Sequence, residues 1–582
     1  MTVHEKPEGT APASDAAPPG STPSDSAPSE SALPRSTTAE QQHPLDRWIF
    51  GIAAALVVAF ILWGALSTST LSAVSSAVLA GVMSAGGWAF VLTASGFVVF
   101  ALWLAFSKQG RIPLGADDEA PEFRTVSWIA MMFSAGMGIG LMFYGVSEPL
   151  SHFASPPPGT VAAGDPEALD VAMATTLFHW TLHPWAIYAV VGLAIAYSTF
   201  RRGRRQLISS AFAPLLGERH TEGAFGKAVD ILAIFATLFG SAASLGLGAL
   251  QIGAGLKLNG VSAVGEVLLV VIIVVLTIAF VCSAVTGVAK GIQWLSNINM
   301  VLAGVLALVV FVGGPTVLIL NLIPTAIGDY FGNLAQMAAR TAASGGDATA
   351  EWLSGWTVFY WAWWISWTPF VGMFIARISR GRTIKQFVVG VLLIPSAVSL
   401  IWFAIFGGAA INLQRSGTDL AAQSTEGQLF GLLNTMPLSG VLSVIAMVLV
   451  AIFFVSGADA ASVVMGTLSE RGSILPSRWV VVFWGVVMGA IAAIMLLVGA
   501  GQDEALKGIR DITIIMAAPF AIVMVVLCVA LAKDLRNDPM MRRDRRSALA
   551  VERAVEFGTQ KYGDEFFMPV KPHSEADPPP KN

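Results

Sequence analysis

The chain has 582 residues, 55% hydrophobic and 12% charged, where a soluble globular domain carries about 25% charged residues. Its apolar residues come in runs of about 20 with few or no charges, enough to cross ~30 Å of hydrocarbon as helices, and the ten-residue alternation of a membrane barrel is absent. The net charge of -4 marks no polyanion partner, so a nucleic-acid role drops out and an all-α membrane protein remains.

Residues 1–46 are rich in Ser, Pro, Ala and Thr, with Glu5, Glu8, Asp15, Asp25, Glu30 and Glu40 against few bases. Such a stretch buries too little apolar surface to offset its ordering entropy, so a disordered tail is expected. The first apolar run starts near Trp48 behind this tail, the wrong layout for a cleavable signal peptide. A twelve-helix domain at 47–533 is expected to follow, with candidate spans near 48–67, 86–106, 124–145, 171–199, 226–255, 264–286, 298–321, 354–376, 386–408, 438–466, 479–500 and 512–532. Residues 323–342 form a weaker amphipathic stretch, expected along the membrane surface. Cys282 and Cys528 lie inside apolar runs without ligand spacing and imply no disulfide framework.

Basic residues cluster after the even-numbered spans: Lys108, Arg111 and Arg124; Arg201, Arg202, Arg204, Arg205 and Arg219; Lys290; Arg377, Arg380, Arg382 and Lys385; Arg471 and Arg478. The segment after span 3 instead holds Glu148, Asp165, Glu167 and Asp170. The positive-inside rule then puts both termini in the cytoplasm of a bacterial-type inner membrane, in accord with the even span count. The tail 534–582 carries Arg542, Arg543, Arg545 and Arg546 and a helix-compatible stretch to about Gln560. Two readings fit these arginines: an ordinary positive-inside stop, or a regulatory tail attracted to anionic lipid at about 1 kcal/mol per charge.

Span 3 contains Gly136, Gly138 and Gly140. Each glycine costs about 1 kcal/mol in a helix interior. The pattern suits either close packing of small residues, since Gly136 and Gly140 form a GxxxG, or a helix broken to expose backbone to a solute. Span 8 favours the break. It holds Trp352, Trp356, Trp361, Trp363, Trp364 and Trp367, and Pro369 and Gly372 are expected to interrupt it. The last three tryptophans lie too deep for an interfacial belt, and two interrupted spans five apart are what an inverted-repeat transporter shows around a central site.

Span 4 adds Phe178, Trp180, Trp185 and Tyr188, electron-rich rings with no intramembrane carboxylate close by in sequence. Rings of this kind can cage a quaternary ammonium through cation–π attraction, roughly 0.5–2 kcal/mol per contact. His179 and His183 have the i,i+4 spacing of a metal pair without a third-ligand motif, so hydrogen bonds in the bundle are expected. Asp459 in span 10 is a functional candidate or a hydrogen-bond partner of broken backbone. Thr237 and Ser241 in span 5 lie one turn apart, able to bond back to their helix or to ligate a small hard cation.

In the stretches Gly136–Pro149, Phe178–Tyr188 and Phe359–Arg382 the chain resembles the betaine/choline/carnitine transporter family, over roughly residues 45–535. The resemblance implies two leading helices, a five-plus-five inverted repeat of the amino-acid/sodium symporter type, and a homotrimer. It places the family's aromatic cage on Trp180, Trp185, Tyr188 and Trp364, and a path toward the cytoplasm on Trp367 and Phe374. Choline-type members carry an aspartate where Gly140 stands, so a zwitterion such as glycine betaine is expected over choline, with backbone at Gly136, Gly138 and Gly140 receiving its carboxylate.

Sodium as coupling ion would map to Ser134, Met137, Phe453, Ser456 and Gly457, and to Thr237, Ser241 and Phe370. Gly457 replaces an expected serine and removes a ligand oxygen; Ser241 replaces a threonine and keeps one. Sodium-driven uptake of a compatible solute in osmotic stress is thus expected, with no other cofactor. The rival is a proton-coupled or exchange transporter of choline, carnitine or ectoine. A channel lacks a filter-like repeat here and an enzyme lacks a nucleophile–base pair or metal triad.

Overall fold

The computed structural model describes residues 44–568 apart from 137, 262–264, 287–288 and 499–501; the side chains of 133–136, 286, 289–296 and 502–505 are also not described. The tail 1–43 and residues 569–582 therefore lie outside it, and with them the expected disorder. Among the described residues every regular element is a helix, save one isolated bridge between Pro113 and Thr383.

Two leading helices, α1 (Arg47–Leu66) and α2 (Thr68–Phe106), precede a broken pair, α3 (Thr125–Gly136) and α4 (Ile139–Ala154). A second broken pair follows, α5 (Ala168–Trp180) and α6 (Leu182–Ala196). Then come α7 (Ala224–Leu258), α8 (Glu266–Thr286), α9 (Ala289–Gly313), α10 (Thr316–Ala338), α11 (Gly346–Gly355) and α12 (Thr357–Ile378). The chain continues through α13 (Ile384–Arg415), α14 (Ser439–Ser469), α15 (Arg478–Val498), α16 (Gln502–Arg536) and α17 (Pro539–Tyr562). By length and composition ten helices among the described residues can cross a membrane. The ten include the α5–α6 pair taken together and also α10, where a surface stretch was expected at 323–342; the α3–α4 pair, the aromatic α12 and α9 stand beside them at positions of expected spans.

Local chemistry sets the boundaries. The Asp46 side chain accepts from the Trp48 and Ile49 N–H groups (3.1 and 3.3 Å) and caps α1. Thr383 and Gln386 form a capping box that opens α13. Gly314 and Pro315 divide the expected span 298–321, because proline has no N–H to continue the ladder. In α12 the expectation fails: the helix runs unbroken through Pro369 and Gly372. Gly372 instead lets α12 close on α6, for a Cβ there would stand 3.0 Å from Val191 and 3.1 Å from the Gly192 nitrogen.

The aromatic helix α12 is enclosed by α6, α7 and α16, while α4 lies between α5, α7 and α13. Their inward faces are buried, whereas α1 and α8 present residues such as Leu62 and Val275 outward, as lipid-facing helices do. At the basic end, the Leu114 N–H donates to the Arg382 carbonyl (2.8 Å) and the Gly381 N–H to the Leu114 carbonyl (2.9 Å). Asp46 pairs there with Lys227 (3.5 Å) and Arg471 (3.4 Å).

Candidate solute site

The site grows from the two helix breaks. Between α3 and α4, Gly138 is fully extended, and α4 restarts at Ile139. The restarted turns are anchored from outside: Trp402 Nε1 on α13 donates to the Leu141 carbonyl (2.9 Å), and Gln251 Nε2 on α7 to the Met142 carbonyl (2.8 Å). Gly140 decides how close the rings come. A Cβ at this position would stand 2.8 Å from Cη2 of both Trp180 and Trp363, so only glycine accommodates them as placed.

The second break lies at Thr181 (φ -117°, ψ -111°), with Pro184 just beyond it. Sequence reasoning took 171–199 as one span and so treated His179 and His183 as neighbours on one helix. The break separates them: His183 stacks on Trp361 (5.1 Å) with its Nε2 3.4 Å from the Ser95 hydroxyl, while His179 turns to α4 and α12. Beside the break, Trp364 Nε1 donates to the His179 carbonyl (3.0 Å).

These breaks and α12 surround a cavity of about 50 Å3 lined by Gly138, Gly140, Trp180, Trp185, Tyr188 and Trp364, among others. Trp180 and Trp364 meet edge-on at 4.9 Å, Trp185 and Tyr188 at 5.3 Å, and Tyr188 and Trp364 at 6.2 Å. Trp367 lines the cavity too, but Phe374 does not: it is 37% exposed on the far part of α12. Trp363 and Ser399 complete the wall and were not singled out from sequence as site residues. The period of 3.6 could have found Trp363, since it neighbours Trp364 and lies one turn from Trp367. No lining residue is ionisable as Asp, Glu, Lys, Arg or His.

Immediately behind the rings stands a carboxylate that sequence reasoning placed in a loop. Glu148 lies inside α4 and is fully buried. Its Oε2 accepts from Trp180 Nε1 (2.6 Å) and from the Tyr360 hydroxyl, and its Oε1 lies 2.7 Å from His179 Nδ1. Glu148 lies 31 residues from His179 in sequence, so it reaches the rings of span 4 through the fold and not through its sequence neighbourhood. The usable signal was its setting: Glu148 directly follows the uncharged run from Ile139 to Ser147.

The candidate sodium residues fall in two groups. Ser134 and Met137 lie outside the described side chains, and the side chain of Gly136, which ends α3, is likewise not described. Phe453, Ser456 and Gly457 share one turn of α14; the Ser456 hydroxyl donates to the Ile452 carbonyl (2.8 Å), and the space beside Gly457 is open. Thr237 and Ser241 are buried on α7, with Thr237 donating to the Ala233 carbonyl (2.9 Å). Gly240 beside them approaches Trp367, whose ring meets Phe370 at 5.7 Å. Asp459 is buried in α14, which is continuous there, so the broken backbone it was expected to bond is absent.

At the basic end α17 is docked by ion pairs. Arg201 reaches both oxygens of Asp538, the N-cap of α17, at 3.0 Å, and Tyr197 donates to Asp538 (2.9 Å); Arg204 pairs with Asp534 (2.5 Å) at the end of the preceding α16. Arg543 pairs with Asp117, whereas Arg542, Arg545 and Arg546 are exposed.

Residues 48–540 match the profile of the betaine/carnitine/choline family of transporters. The chain belongs to this family. It is 47% identical over 535 residues to the betaine/ectoine transporter LcoP of Corynebacterium glutamicum, covering 91% of this chain and 84% of that protein. It is 46% identical over 503 residues to the glycine betaine transporter OpuD of Bacillus subtilis, covering 86% and 96%. The ectoine/hydroxyectoine transporter of Virgibacillus pantothenticus is 38% identical over 84% of this chain and 97% of its own. The chain is accordingly a multi-pass membrane transporter of compatible-solute type, not an enzyme.

Proposed function

We propose that this transporter takes up glycine betaine, or a zwitterion of similar shape, by sodium symport across a bacterial inner membrane, with both termini cytoplasmic. The observation that carries the reading is a cavity walled by Trp180, Trp185, Tyr188 and Trp364 and free of Asp, Glu, Lys, Arg and His. Ring faces attract a trimethylammonium group by their quadrupoles. A bare cation would bring an unpaired charge into a wall that offers no counter-ion, a costly transfer. A zwitterion carries its own carboxylate, which the backbone N–H groups at the restart of α4, around Gly138 and Gly140, would receive.

Alternating access would open this cavity to one side of the membrane and then to the other, with the rings closing around the solute between the two. Sodium between α3 and α14, and between α7 and α12, would hold the broken helix in register. The Gly457 position supplies no side-chain oxygen, so the first sodium relies on Ser134, Ser456 and backbone. A homotrimer, an osmotic-stress role and attraction of Arg542, Arg545 and Arg546 to anionic lipid belong to the same proposal. Ectoine is the second reading, favoured because two relatives transport it by name and it is also a zwitterion.

Uptake of radiolabelled glycine betaine into proteoliposomes, with and without an inward sodium gradient, tests the proposal. Sodium-driven accumulation that Trp364→Ala abolishes is the expected result. Accumulation indifferent to sodium would overturn the coupling, and ectoine accumulation without glycine betaine uptake would replace the solute.

A further inference from the structure

We propose that Glu148, His152 and His179 form a binding site for a divalent transition-metal ion of the zinc type, clamping α4 to α5 behind the solute cavity. None of the three residues lines the solute cavity, and Glu148 reaches it only through the bond of its Oε2 to Trp180. His152 lies one turn after Glu148 on α4, and His179 faces both from the last turn of α5. Their side chains are 0–1% exposed, and one ligand atom from each lies within 4.8 Å of the others.

The two oxygens of Glu148 are divided in use. Oε2 is turned to the cage and holds Trp180 and Tyr360. Oε1 is turned to the histidines, 2.7 Å from His179 Nδ1 and 3.5 Å from His152 Nε2. The second distance is too long for a hydrogen bond. It matches the separation of two ligands on one tetrahedral zinc, which bonds of 2.0–2.1 Å put at about 3.3 Å. The first must open by roughly half an ångström to reach the same geometry. A metal could therefore take Oε1 and leave the bonds of Oε2 to the cage in place.

His152 points to a ligand independently. Nδ1 of this buried ring has no hydrogen-bond partner, and Nε2 has only the distant Oε1. A buried polar group left unsatisfied costs free energy, and coordination at Nε2 would remove part of that cost. His179 already has the outer partner that metal-bound imidazoles commonly show: its Nε2 lies 2.9 Å from the Thr357 hydroxyl. With the metal at Nδ1, the imidazole carries its proton at Nε2 and donates to Thr357, whose hydroxyl accepts as readily as it donates. Two histidines and a carboxylate leave a fourth position for water. The Trp352 and Trp356 rings pack 5.7 and 4.5 Å from His152 and close the site on that side.

The test uses the purified full chain in lipid nanodiscs, titrated with Co2+ as a spectroscopic probe and then with Zn2+ as competitor. Expected is one equivalent of Co2+ with the visible absorption of a tetrahedral or five-coordinate site, displaced by Zn2+. His152→Phe, which keeps the ring volume, should weaken binding at least 100-fold. His152→Gln should do the same, and Thr357→Val should weaken it about 10–100-fold through loss of the outer hydrogen bond. Whichever His152 variant remains monodisperse serves for the reading. No such absorption in the unaltered chain would overturn the site, and so would unchanged affinity in the His152 variant. Because binding is read directly, the result is independent of which solute is carried or which ion drives it.

Discussion

Two carboxylates, each fully buried, are held in opposite ways. Glu148 sits in the middle of the helix bundle and is bonded by neutral donors: an indole, a phenol and an imidazole. Asp538 sits at the basic end and is bonded by the Arg201 guanidinium, with Tyr197 and the Met540 N–H in support. Neutral donors fix direction without adding a second charge where water is excluded, which suits a group that holds the Trp180 ring against the solute cavity. A guanidinium supplies charge, which suits a joint at the membrane edge. The contrast teaches that burial alone does not define a role; the kind of donor does.

The largest effect should come from Glu148. Glu148→Leu leaves the Trp180, Tyr360 and His179 donors buried without their acceptor, at about 1–3 kcal/mol each. Glycine betaine uptake in proteoliposomes should fall by on the order of 100-fold or more, with a lowered melting temperature. Near-normal uptake would show that the rings hold their aim unaided and would dissolve the contrast. Next is Gly140→Asp, whose Cβ would stand 2.8 Å from two tryptophan rings. Overpacking of this kind costs about 1–3 kcal/mol, so glycine betaine affinity should drop about tenfold or more. The new carboxylate should also bring measurable choline accumulation. Gly140→Ala separates the two causes: it should lose glycine betaine affinity and gain no choline.

The apolar periodicity exposed nearly all the helices, because each must fill the bilayer with uncharged residues, and the tryptophans of α12 were too deep to be belt residues. Four features were hidden for physical reasons. Pro369 reads as a helix break, yet α12 continues, and the Ile365 carbonyl that the missing N–H leaves free accepts from the Thr368 hydroxyl (2.6 Å). Thr181 reads as ordinary helix, yet Pro184 just beyond it disfavours an unbroken ladder. Glu148 counts as a loop charge until its partners are seen, and those partners are 31 to 212 residues away in sequence. His152 carries no motif of its own. It shares a site with His179 only after folding.

The smallest effects belong to the basic end, where they can be graded by burial. Arg201→Ala leaves the buried Asp538 carboxylate without its guanidinium; breaking such a pair costs at most about 3–5 kcal/mol, less where water reaches the membrane edge. Hydrogen exchange should then show α17 released while transport measured at fixed ionic strength persists. Arg111→Ala removes a pair whose side chains are 68% and 52% exposed, worth about 0–1 kcal/mol, and should leave α17 protected. Acid gives the finest discrimination. Burial raises the Asp538 pKa, but the Arg201, Met540 and Tyr197 bonds outweigh it and hold it below its ordinary 3.8. A depressed carboxylate stabilises docking above its unfolded value and loses that contribution as pH falls through the folded one. Protection of α17 should therefore stay constant from neutrality down to pH 3.8 and fade only below it. Release between neutral pH and 5 would mean that the Asp538–Arg201 pair is not what holds the helix in place.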